Sequence, residues 1–387
     1  PPSRVPARPH ALLERIVGNV GGAVCGRCLE RGGGHAMSAR VEWLLAVRLR
    51  QLGDVLAALA TLRALKTYRP ERRIAYVVEA HYAPLLHGLD FIDALPAPPR
   101  GGVRAWGAYL ASVRALRATS AIDLHGSARS ALITLASGAP TRVGFDVDGR
   151  KLAYTIVEPR GEFNDGVRIP HTPIVWGMNL ARHVGASEPE RIPPQLMVSD
   201  EARARVAEAL AGVGVASGDI EAGTIVGLNP GRRVPVKSWE TERFVSLARR
   251  LGAEGRRALV LWGPGEEDVA QAVVQGAGGA AVLAPRTPLA GMPALVASCA
   301  ALVTIDSGLK HVAVCVRVPT VTVFGATDPR EWHMGGATDA ALWRGLSCSP
   351  CRRLVCPFGA PCMDVSVDAV WDALRRVLGR SGREASA

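Results

Sequence analysis

Aromatic residues are scarce in this sequence: Phe, Trp and Tyr together make up only 5% of its 387 residues. Ala, Val and Leu must therefore build its core. Charged residues account for 21% and hydrophobic residues for 48%, a balance that fits a soluble globular protein and excludes a disordered chain. At about 150 residues per domain, the length predicts two domains, or three.

Long apolar runs are also missing. The longest uncharged stretches, 269–285 and 287–305, are separated only by Arg286, and Gly or Pro residues interrupt both of them. Neither stretch predicts a transmembrane helix. The amino-terminal region has no continuous apolar segment of the length that a secretory signal needs, so we expect the protein in the cytoplasm.

Acidic residues are fewer than basic ones: Lys and Arg number 46 and Asp and Glu 35, which leaves a formal net charge of +11. A basic surface suits an anionic partner, and composition alone leaves phosphates, nucleic acid and an acidic membrane surface open. The eight Cys are too few for a disulfide scaffold in a chain of this length. Clustered Cys in a reducing compartment point first to metal binding or reactivity.

Residues 1–36 differ from the rest of the chain. They are rich in Pro, contain a Gly32-Gly33-Gly34 run and precede Met37. Their apolar content is too thin to offset the entropy of the chain, so we expect a disordered or non-native extension. A C-x-x-C pair lies within it, but no predicted strand and helix surround the pair, which disfavours a redox role.

From residue 41 onwards, short apolar strands alternate with helical repeats of about ten to fifteen residues, a pattern typical of βαβ units and a parallel sheet. The alternation pauses over 146–172 and restarts at 224. Strands are predicted at 41–49, 74–78, 91–95, 121–124, 224–228, 258–262, 281–283, 301–305 and 320–324, and helices at 55–65, 103–116, 174–184, 200–210, 241–251, 266–274 and 289–298. The two series predict an α/β protein with two doubly wound domains, 37–215 and 216–380, facing across a cleft. Ligands of such folds bind at the carboxyl ends of the strands.

The first turn with a candidate functional residue, 49–54, directly follows a predicted strand. Gly53 permits a tight turn, and Asp54 lies in the first turn of the next helix. An Asp at this position can cap the helix or complement its dipole. Alternatively, Asp54 faces the cleft as a general base.

A second turn, 227–239, places three cations after a strand: Arg232, Arg233 and Lys237. Cations at the carboxyl end of a strand suit a diphosphate, although a solvated cationic loop explains them as well.

A third turn, 304–311, begins a predicted helix near Gly308. The backbone N–H groups of Ser307 and Gly308 form an anion site there, and Lys310 and His311 add donors. Asp306 alone is an ordinary N-cap residue, but this combination of side chains in one turn is harder to explain as capping.

A further turn, 263–267, follows another predicted strand. It is not a Rossmann dinucleotide fingerprint, because Asp268 stands where the third Gly is needed. Glu266 or Glu267 either binds ribose hydroxyls or complements the helix dipole, and the sequence leaves both open.

These turns, in this order, resemble the bacterial glycosyltransferase family 9, the ADP-heptose:lipopolysaccharide heptosyltransferases. The resemblance covers about residues 41–378. It is carried by VRLRQLGDVLAALATLRAL (47–65), IDLHGSARSAL (122–132) with TRVGFD (141–146), GLNPGRRVPVKSWETERF (227–244) and TIDSGLKHVAVCVRVPTVTVFGATDP (304–329). Two departures stand out: Asn229 replaces the His that many members have before Pro-Gly, and Arg317 replaces a common Gly.

The resemblance implies a GT-B fold, with the acceptor side mainly in the amino-terminal domain and the nucleotide-sugar donor in the carboxy-terminal one. It implies metal-independent transfer of a heptose from ADP-heptose to a phosphorylated lipid A–core acceptor at the cytoplasmic face of the inner membrane, a surface that the basic charge suits. The implied site residues are the catalytic base Asp54, the donor-binding Lys237, Glu266, Glu267, Asp306, Ser307, Gly308 and His311, and the acceptor-binding Arg50 and Arg129. No metal ligand or cofactor is implied.

Three alternatives remain. A nucleotide-sugar epimerase can share the two-domain fold, and a family member can use another sugar donor. Nucleic-acid binding is disfavoured, because the aromatic residues show no stacking-platform pattern. The oligomeric state is not predicted.

Four Cys near the carboxyl terminus, Cys348, Cys351, Cys356 and Cys362, have the spacing C-x₂-C-x₄-C-x₅-C. Four Cys in closed tetrahedral coordination are typical of structural zinc. Reduced or disulfide-bonded thiols in a packed loop are the alternative.

Overall fold

The fold is described from a computed structural model, over residues 41–98, 102–159, 163–164, 167–168, 173–186, 195–231, 234–336 and 338–384. The predicted extension 1–36, the predicted loop 187–194 and the cations Arg232 and Arg233 lie outside these residues.

Six parallel strands form the first sheet, in the order β3-β2-β1-β4-β5-β6. Its elements in chain order are β1 (Trp43–Val47), α1 (Leu52–Tyr68), β2 (Arg73–Glu79), β3 (Asp93–Ala97), α2 (Val103–Ala115), β4 (Ser120–Asp123), α3 (Ala128–Ser137), β5 (Thr141–Phe145) and β6 (Ile156–Glu158). The strand order reverses between β1 and β4, which is the switch point where doubly wound sheets bind ligands.

Shorter elements connect the two sheets. They are the antiparallel pair β7 (Phe163–Asn164) and β8 (Val167–Arg168), then α4 (Pro173–Arg182), α5 (Asp200–Ala211) and α6 (Ser217–Glu221). Helix α4 packs against α1 of the first sheet.

The second sheet repeats the order of the first, as β11-β10-β9-β12-β13-β14, and all its strand pairs are parallel. Its elements are β9 (Ile225–Asn229), α7 (Thr241–Ala253), β10 (Arg257–Val260), α8 (Glu267–Gly276), β11 (Ala281–Leu283), α9 (Met292–Ala297), β12 (Ala301–Ile305), α10 (Gly308–Cys315), β13 (Thr320–Phe324), α11 (Pro329–Trp332), β14 (Ala340–Trp343) and α12 (Val367–Glu384). Here the order reverses between β9 and β12, which gives a second switch point.

The prediction of an α/β protein with parallel sheets is confirmed. Strands β1, β9, β12 and β13 are buried along their whole length, as expected of parallel strands covered by helices on both faces. The sequence analysis did not predict the strands β5, β6, β7, β8 and β14 or the helices α3, α6, α11 and α12. Strands β6 and β14 are sheet edges of only three and four residues, IVE and AALW, which is too short a run for a strand periodicity to show.

The two sheets share an apolar interface. One continuous cluster of buried side chains includes Leu56 and Leu59 of α1 together with Val312 of α10. The Leu196 N–H donates to the carbonyl of Cys315 at 3.0 Å, and α5 packs against α9. None of the described helices is both long and apolar enough to cross a bilayer. The domain boundaries at 37–215 and 216–380 stay a prediction.

Candidate functional site

Two of the predicted turns meet where the sheets face each other. A Cβ atom on Gly53 would lie 2.5 Å from Cδ2 of His311, and a Cβ atom on Gly308 would lie 3.1 Å from Cβ of Leu52. The amino ends of α1 and α10 are therefore in contact, and only Gly fits at position 53 without displacing the imidazole. Since each helix follows a central strand beside a switch point, the contact joins the two edges where ligands of such sheets bind.

Asp54 lies in the first turn of α1 and forms an ion pair with Arg48, each side chain being 12% exposed. Arg48 Nη1 also donates to the carbonyl of Leu124 at 2.5 Å. The guanidinium thus fixes the Asp54 carboxylate relative to the end of β4. The N-cap residue of α1 is Gln51, whose side chain makes no capping hydrogen bond.

The turn after β4 holds the Asp54 turn in place. The Leu49 N–H donates to Nδ1 of His125 at 3.1 Å. Asp123 is fully buried and accepts hydrogen bonds from the backbone N–H groups of His125 and Gly126, each at 2.9 Å, and from the Tyr154 hydroxyl at 2.7 Å. Burial raises the pKa of the Asp123 carboxyl, and these hydrogen bonds only partly offset it.

These contacts determine the tautomer of His125. Because Nδ1 accepts a backbone N–H, the neutral ring carries its proton on Nε2, which then acts as a donor. From the sequence, this segment was identified only as a family motif, and the roles of Asp123 and His125 were not predicted. The available signal was an Asp and a His together at the end of a predicted central strand.

The two candidate acceptor residues lie at the same carboxyl edge of the first sheet. Arg129 forms an ion pair with Glu79, the last residue of β2, and its guanidinium carbon lies 5.9 Å from the ring centroid of Trp106. Arg50 is exposed in the loop before α1. Both lie near the Asp54 turn, because the Glu79 N–H donates to the carbonyl of Leu49 at 2.9 Å and Arg50 follows Leu49.

Asp306, directly after β12, is the centre of a buried charge network. Its carboxylate accepts hydrogen bonds from Lys237 Nζ at 2.7 Å, Lys310 Nζ at 2.6 Å and the Thr327 hydroxyl at 2.8 Å. Burial acts to raise the pKa of this carboxyl, but the two ammonium groups outweigh it and hold the pKa below its ordinary value. Asp306 is only 6% exposed, whereas Lys237 remains 25% exposed. The carboxylate therefore positions Lys237 at the edge of the site.

Lys310 was expected to add a donor to the anion site, but its side chain points into this network. It is 1% exposed, and its Nζ also donates to the Trp332 carbonyl at 2.8 Å and lies 4.7 Å from the Phe324 ring centroid. Burial lowers the pKa of Lys310, and Asp306 acts in the opposite direction.

His311 is buried beside Gly53 and is held neutral. Burial, followed by the nearby Lys310 charge, lowers its pKa well below the ordinary value. Within the part of the chain that the structure describes, Nδ1 of His311 is buried without a hydrogen-bond partner. A neutral imidazole has one nitrogen that donates a hydrogen bond and one that accepts, so it can form a hydrogen bond with a ligand bound between the two helix ends.

Asn229, one of the two departures from the family pattern, connects the second and third turns. Its Nδ2 donates to Oγ1 of Thr304 at 2.9 Å and to Oγ of Ser307 at 2.8 Å. Ser307 is the N-cap residue of α10, and its side chain makes no capping hydrogen bond. Asn229 therefore fixes the Ser307 hydroxyl at the start of the helix.

Glu266 and Glu267 stand at the start of α8, after β10. Glu266 Oε2 accepts a hydrogen bond from the Gly263 N–H at 3.1 Å, so this carboxylate stabilises the turn 263–266. Glu267 is exposed in the first turn, where a carboxylate complements the helix dipole. Strand β10 pairs with β9, which places both residues at the same sheet edge as Lys237.

The four clustered Cys lie in the loop after β14. Cys348 is exposed, Cys351 and Cys356 are partly buried, and Cys362 is buried; all four are free thiols. Burial raises the pKa of Cys362, and the other three thiols of the loop raise it further. Among the residues described, no His, Cys, Asp and Glu side chains are grouped so that three or more could hold a metal ion.

Comparisons with known proteins agree with this architecture. The family model described as glycosyltransferase family 9 (heptosyltransferase) matches residues 106–361. Lipopolysaccharide heptosyltransferase 2 of Escherichia coli is 26% identical over 309 residues, which cover 74% of this chain and 83% of that protein. Lipopolysaccharide heptosyltransferase 1 of Pseudomonas aeruginosa is 34% identical over 123 residues, 32% of this chain, so the match spans only 34% of that protein.

Two solved structures share the fold. The glycosyl transferase family 9 protein from Veillonella parvula has a TM-score of 0.78 at 20% identity, covering 88% of this chain and 98% of that one. The E. coli ADP-heptose lps heptosyltransferase II has a TM-score of 0.70 at 21% identity, covering 88% of this chain and 100% of that one. Because the family model matches well over half of the chain, this protein belongs to glycosyltransferase family 9, the heptosyltransferases, and is a transferase of the GT-B fold.

Proposed function

We propose that the protein transfers a heptose from ADP-heptose to the inner core of lipopolysaccharide, at the cytoplasmic face of the inner membrane. The observation that carries this proposal is the contact between the Asp54 turn and the turn of Asp306, Ser307, Gly308 and His311. The contact brings a carboxylate of the first sheet to the helix start of the second, which we assign to the diphosphate of the donor. The names of the relatives, lipopolysaccharide heptosyltransferases 1 and 2, support the choice of sugar and acceptor.

In the proposed reaction, Asp54 removes the proton from an acceptor hydroxyl as the oxygen attacks the anomeric carbon of the donor. The ion pair with Arg48 orients the carboxylate for this step. The bond to the diphosphate breaks and ADP leaves, so negative charge grows on the leaving oxygen. Lys237 and the backbone N–H groups of Ser307 and Gly308 stabilise that charge, and such donors contribute most where charge develops. In this scheme the protein's own donors do the work of a divalent cation.

The remaining candidates have roles in binding. Glu266 or Glu267 binds the ribose of ADP, and His311 contacts the diphosphate or sugar. Arg50 and Arg129 bind phosphate groups of the lipid A–core acceptor. In this assignment the domain 37–215 carries the acceptor and 216–380 the donor.

The donor is tested by measuring which nucleotide-sugar raises the melting temperature of the protein most. A ligand that binds only the folded state raises its melting temperature, and at equal concentration the rise is larger for the ligand with the lower Kd. We expect ADP-heptose to raise the melting temperature more than UDP-linked or GDP-linked hexoses at equal concentration. A larger shift with one of those hexoses would contradict the proposed donor.

Lys237→Ala and His311→Ala are expected to weaken ADP binding, measured by isothermal titration. Removing a charge-assisted hydrogen bond to the diphosphate costs about 1.5–3 kcal/mol, so the Kd for the Lys237 variant should rise by about ten- to a hundredfold. Lys151→Ala is the matched control, since Lys151 is half exposed and pairs with Asp146 in the other domain. Unchanged affinity in both site variants would remove them from the donor site.

His125→Leu is expected to lower kcat about tenfold while leaving the Kd for ADP unchanged, because it removes the acceptor of the Leu49 N–H and loosens the Asp54 turn. His125→Asn can accept the same N–H through Oδ1 and should restore most of the rate. His125→Gln places its amide nearer the position of Nε2 instead. Rescue by Asn and not by Gln identifies a positioning role through Nδ1, whereas loss in all three variants with a raised KM for the acceptor would contradict it.

A further inference from the structure

The loop that follows β14, residues 344–363, lies beside the donor site. Because β14 is parallel to β13, the loop leaves from the carboxyl edge of the second sheet. The Arg352 N–H donates to the carbonyl of Ala326 at 2.8 Å, and the Ser349 hydroxyl donates to the carbonyl of Gly325. The next residue along, Thr327, is the one that donates to Asp306. The loop is thus attached to the same segment that supports the charge network.

Three large apolar side chains of this loop project into solvent. Leu354 is 74% exposed, Val355 79% and Phe358 71%. Single exposed apolar residues are common on protein surfaces, but three such large side chains within five positions of one loop are a feature that membrane and protein interaction sites show. We refer to these three residues as the apolar tip.

The base of the loop is anchored. Arg352 forms an ion pair with Glu331, which is buried, and Arg344 Nη1 donates to the carbonyl of Pro361 at 2.9 Å. Cys362 and Met363 are buried in the core of the second sheet. The loop therefore holds its apolar tip away from the core, since both of its ends are fixed.

The charged residues of the loop itself are all basic. Residues 344–363 contain three Arg and neither Asp nor Glu. Two of them, Arg344 and Arg352, pair with acidic residues outside the loop, while Arg353 is exposed next to Leu354. Apolar side chains beside an Arg suit the surface of a bilayer with anionic lipids. The apolar side chains enter the acyl boundary, and the guanidinium stays at the lipid phosphates.

A second copy of the chain is a poorer fit to this surface. A two-fold symmetric contact would place the patch on itself and bring Arg353 of one copy near Arg353 of the other, while Arg344 and Arg352 stay paired with acidic residues. Like charges in contact oppose such a dimer.

We propose that the apolar tip inserts into an anionic membrane surface, with Arg353 at the headgroups. This orients the edge that carries Lys237 and Asp54 towards an acceptor held in the same membrane. Only that last consequence rests on the proposed function, because insertion itself requires neither donor nor acceptor.

The test is sedimentation of the full-length protein with vesicles of phosphatidylethanolamine and phosphatidylglycerol, compared with vesicles of phosphatidylcholine alone. The variant Leu354→Ser/Val355→Ser/Phe358→Ser should bind the anionic vesicles about tenfold more weakly or worse. The matched control is Val103→Ser/Leu152→Ser, which removes apolar side chains that are 90% and 92% exposed on the first domain. The control should bind like the wild type. All changed residues are exposed, so the melting temperatures should not move.

Wild-type binding by the triple variant would overturn the proposal, as would equal loss in the control or equal binding to both kinds of vesicle. A change in oligomeric state with unchanged vesicle binding would assign the tip to a protein interface and overturn it too. The proposed function fails separately. If vesicle binding depends on the tip but no heptose is transferred to any acceptor, the membrane surface stands and the sugar-transfer proposal falls.

Discussion

Asp54→Asn is expected to lower the rate of transfer by about 10²–10⁴-fold while binding ADP as the wild type does. Asn has the same shape as Asp but cannot take a proton from the acceptor hydroxyl. The donor contacts that we propose lie on α10 and on the turn after β9, so ADP affinity should not change. The measurement is turnover at saturating donor and acceptor, with ADP titration of the same preparation.

The matched control for this variant is Glu242→Gln, which changes an exposed carboxylate in the first turn of α7. If Asp54 is only structural, through the helix dipole and its ion pair with Arg48, both variants should keep their activity, and Asp54→Asn should lose more stability than Glu242→Gln. Near wild-type turnover of Asp54→Asn would show that the carboxylate is structural. Loss of folding in that variant would be visible as a lower melting temperature, and the rate is therefore compared per folded molecule.

Asp306→Asn is expected to have the largest effect on stability, about 3–5 kcal/mol of unfolding free energy. The Lys310 ammonium is 1% exposed and would lose the carboxylate at 2.6 Å that compensates its charge. Urea denaturation at neutral pH measures the loss. The double variant Asp306→Asn/Lys310→Met should recover much of it, because both members of the buried pair are then uncharged.

Two comparisons sharpen this result. Asp146→Asn breaks an exposed pair with Lys151 and should change stability little. The pKa of Asp306 is lowered in the folded state, so its stabilisation is complete above the unfolded value of about 4 and is lost as the pH falls. The difference in unfolding free energy between the wild type and Asp306→Asn should therefore become smaller as the pH falls below about 4. A constant difference, or one no larger than that of the exposed pair, would contradict the charge network.

Much of the architecture follows from local patterns in the sequence. The fully buried strands β1, β9, β12 and β13 have the continuous apolar runs of a parallel sheet, and the turns that follow β1 and β12 contain Gly53 and Gly308 at helix starts. Such positions are predictable because strand length, Gly and helical spacing act over a few residues. The edge strands β6 and β14 were missed because three or four residues are too short a run to show a strand periodicity.

The site's internal contacts are less predictable, because they join distant parts of the chain. No local pattern shows that His311 packs on Gly53, or that the Leu49 N–H donates to His125. Lys310 illustrates the same limit. A Lys in the first turn of a helix suits an anion, but its contacts with Asp306 and Trp332 show that the ammonium points inward.

The most direct test of the central claim is the mass of the acceptor after incubation with ADP-heptose and the wild-type protein. We expect purified lipopolysaccharide core that lacks its inner heptose to gain one heptosyl unit, with release of one ADP for each unit gained, and we expect Asp54→Asn to give neither product. Conversion of ADP-heptose to an isomer without acceptor would identify an epimerase. Release of ADP with no change in the mass of any core acceptor would contradict heptose transfer to lipopolysaccharide.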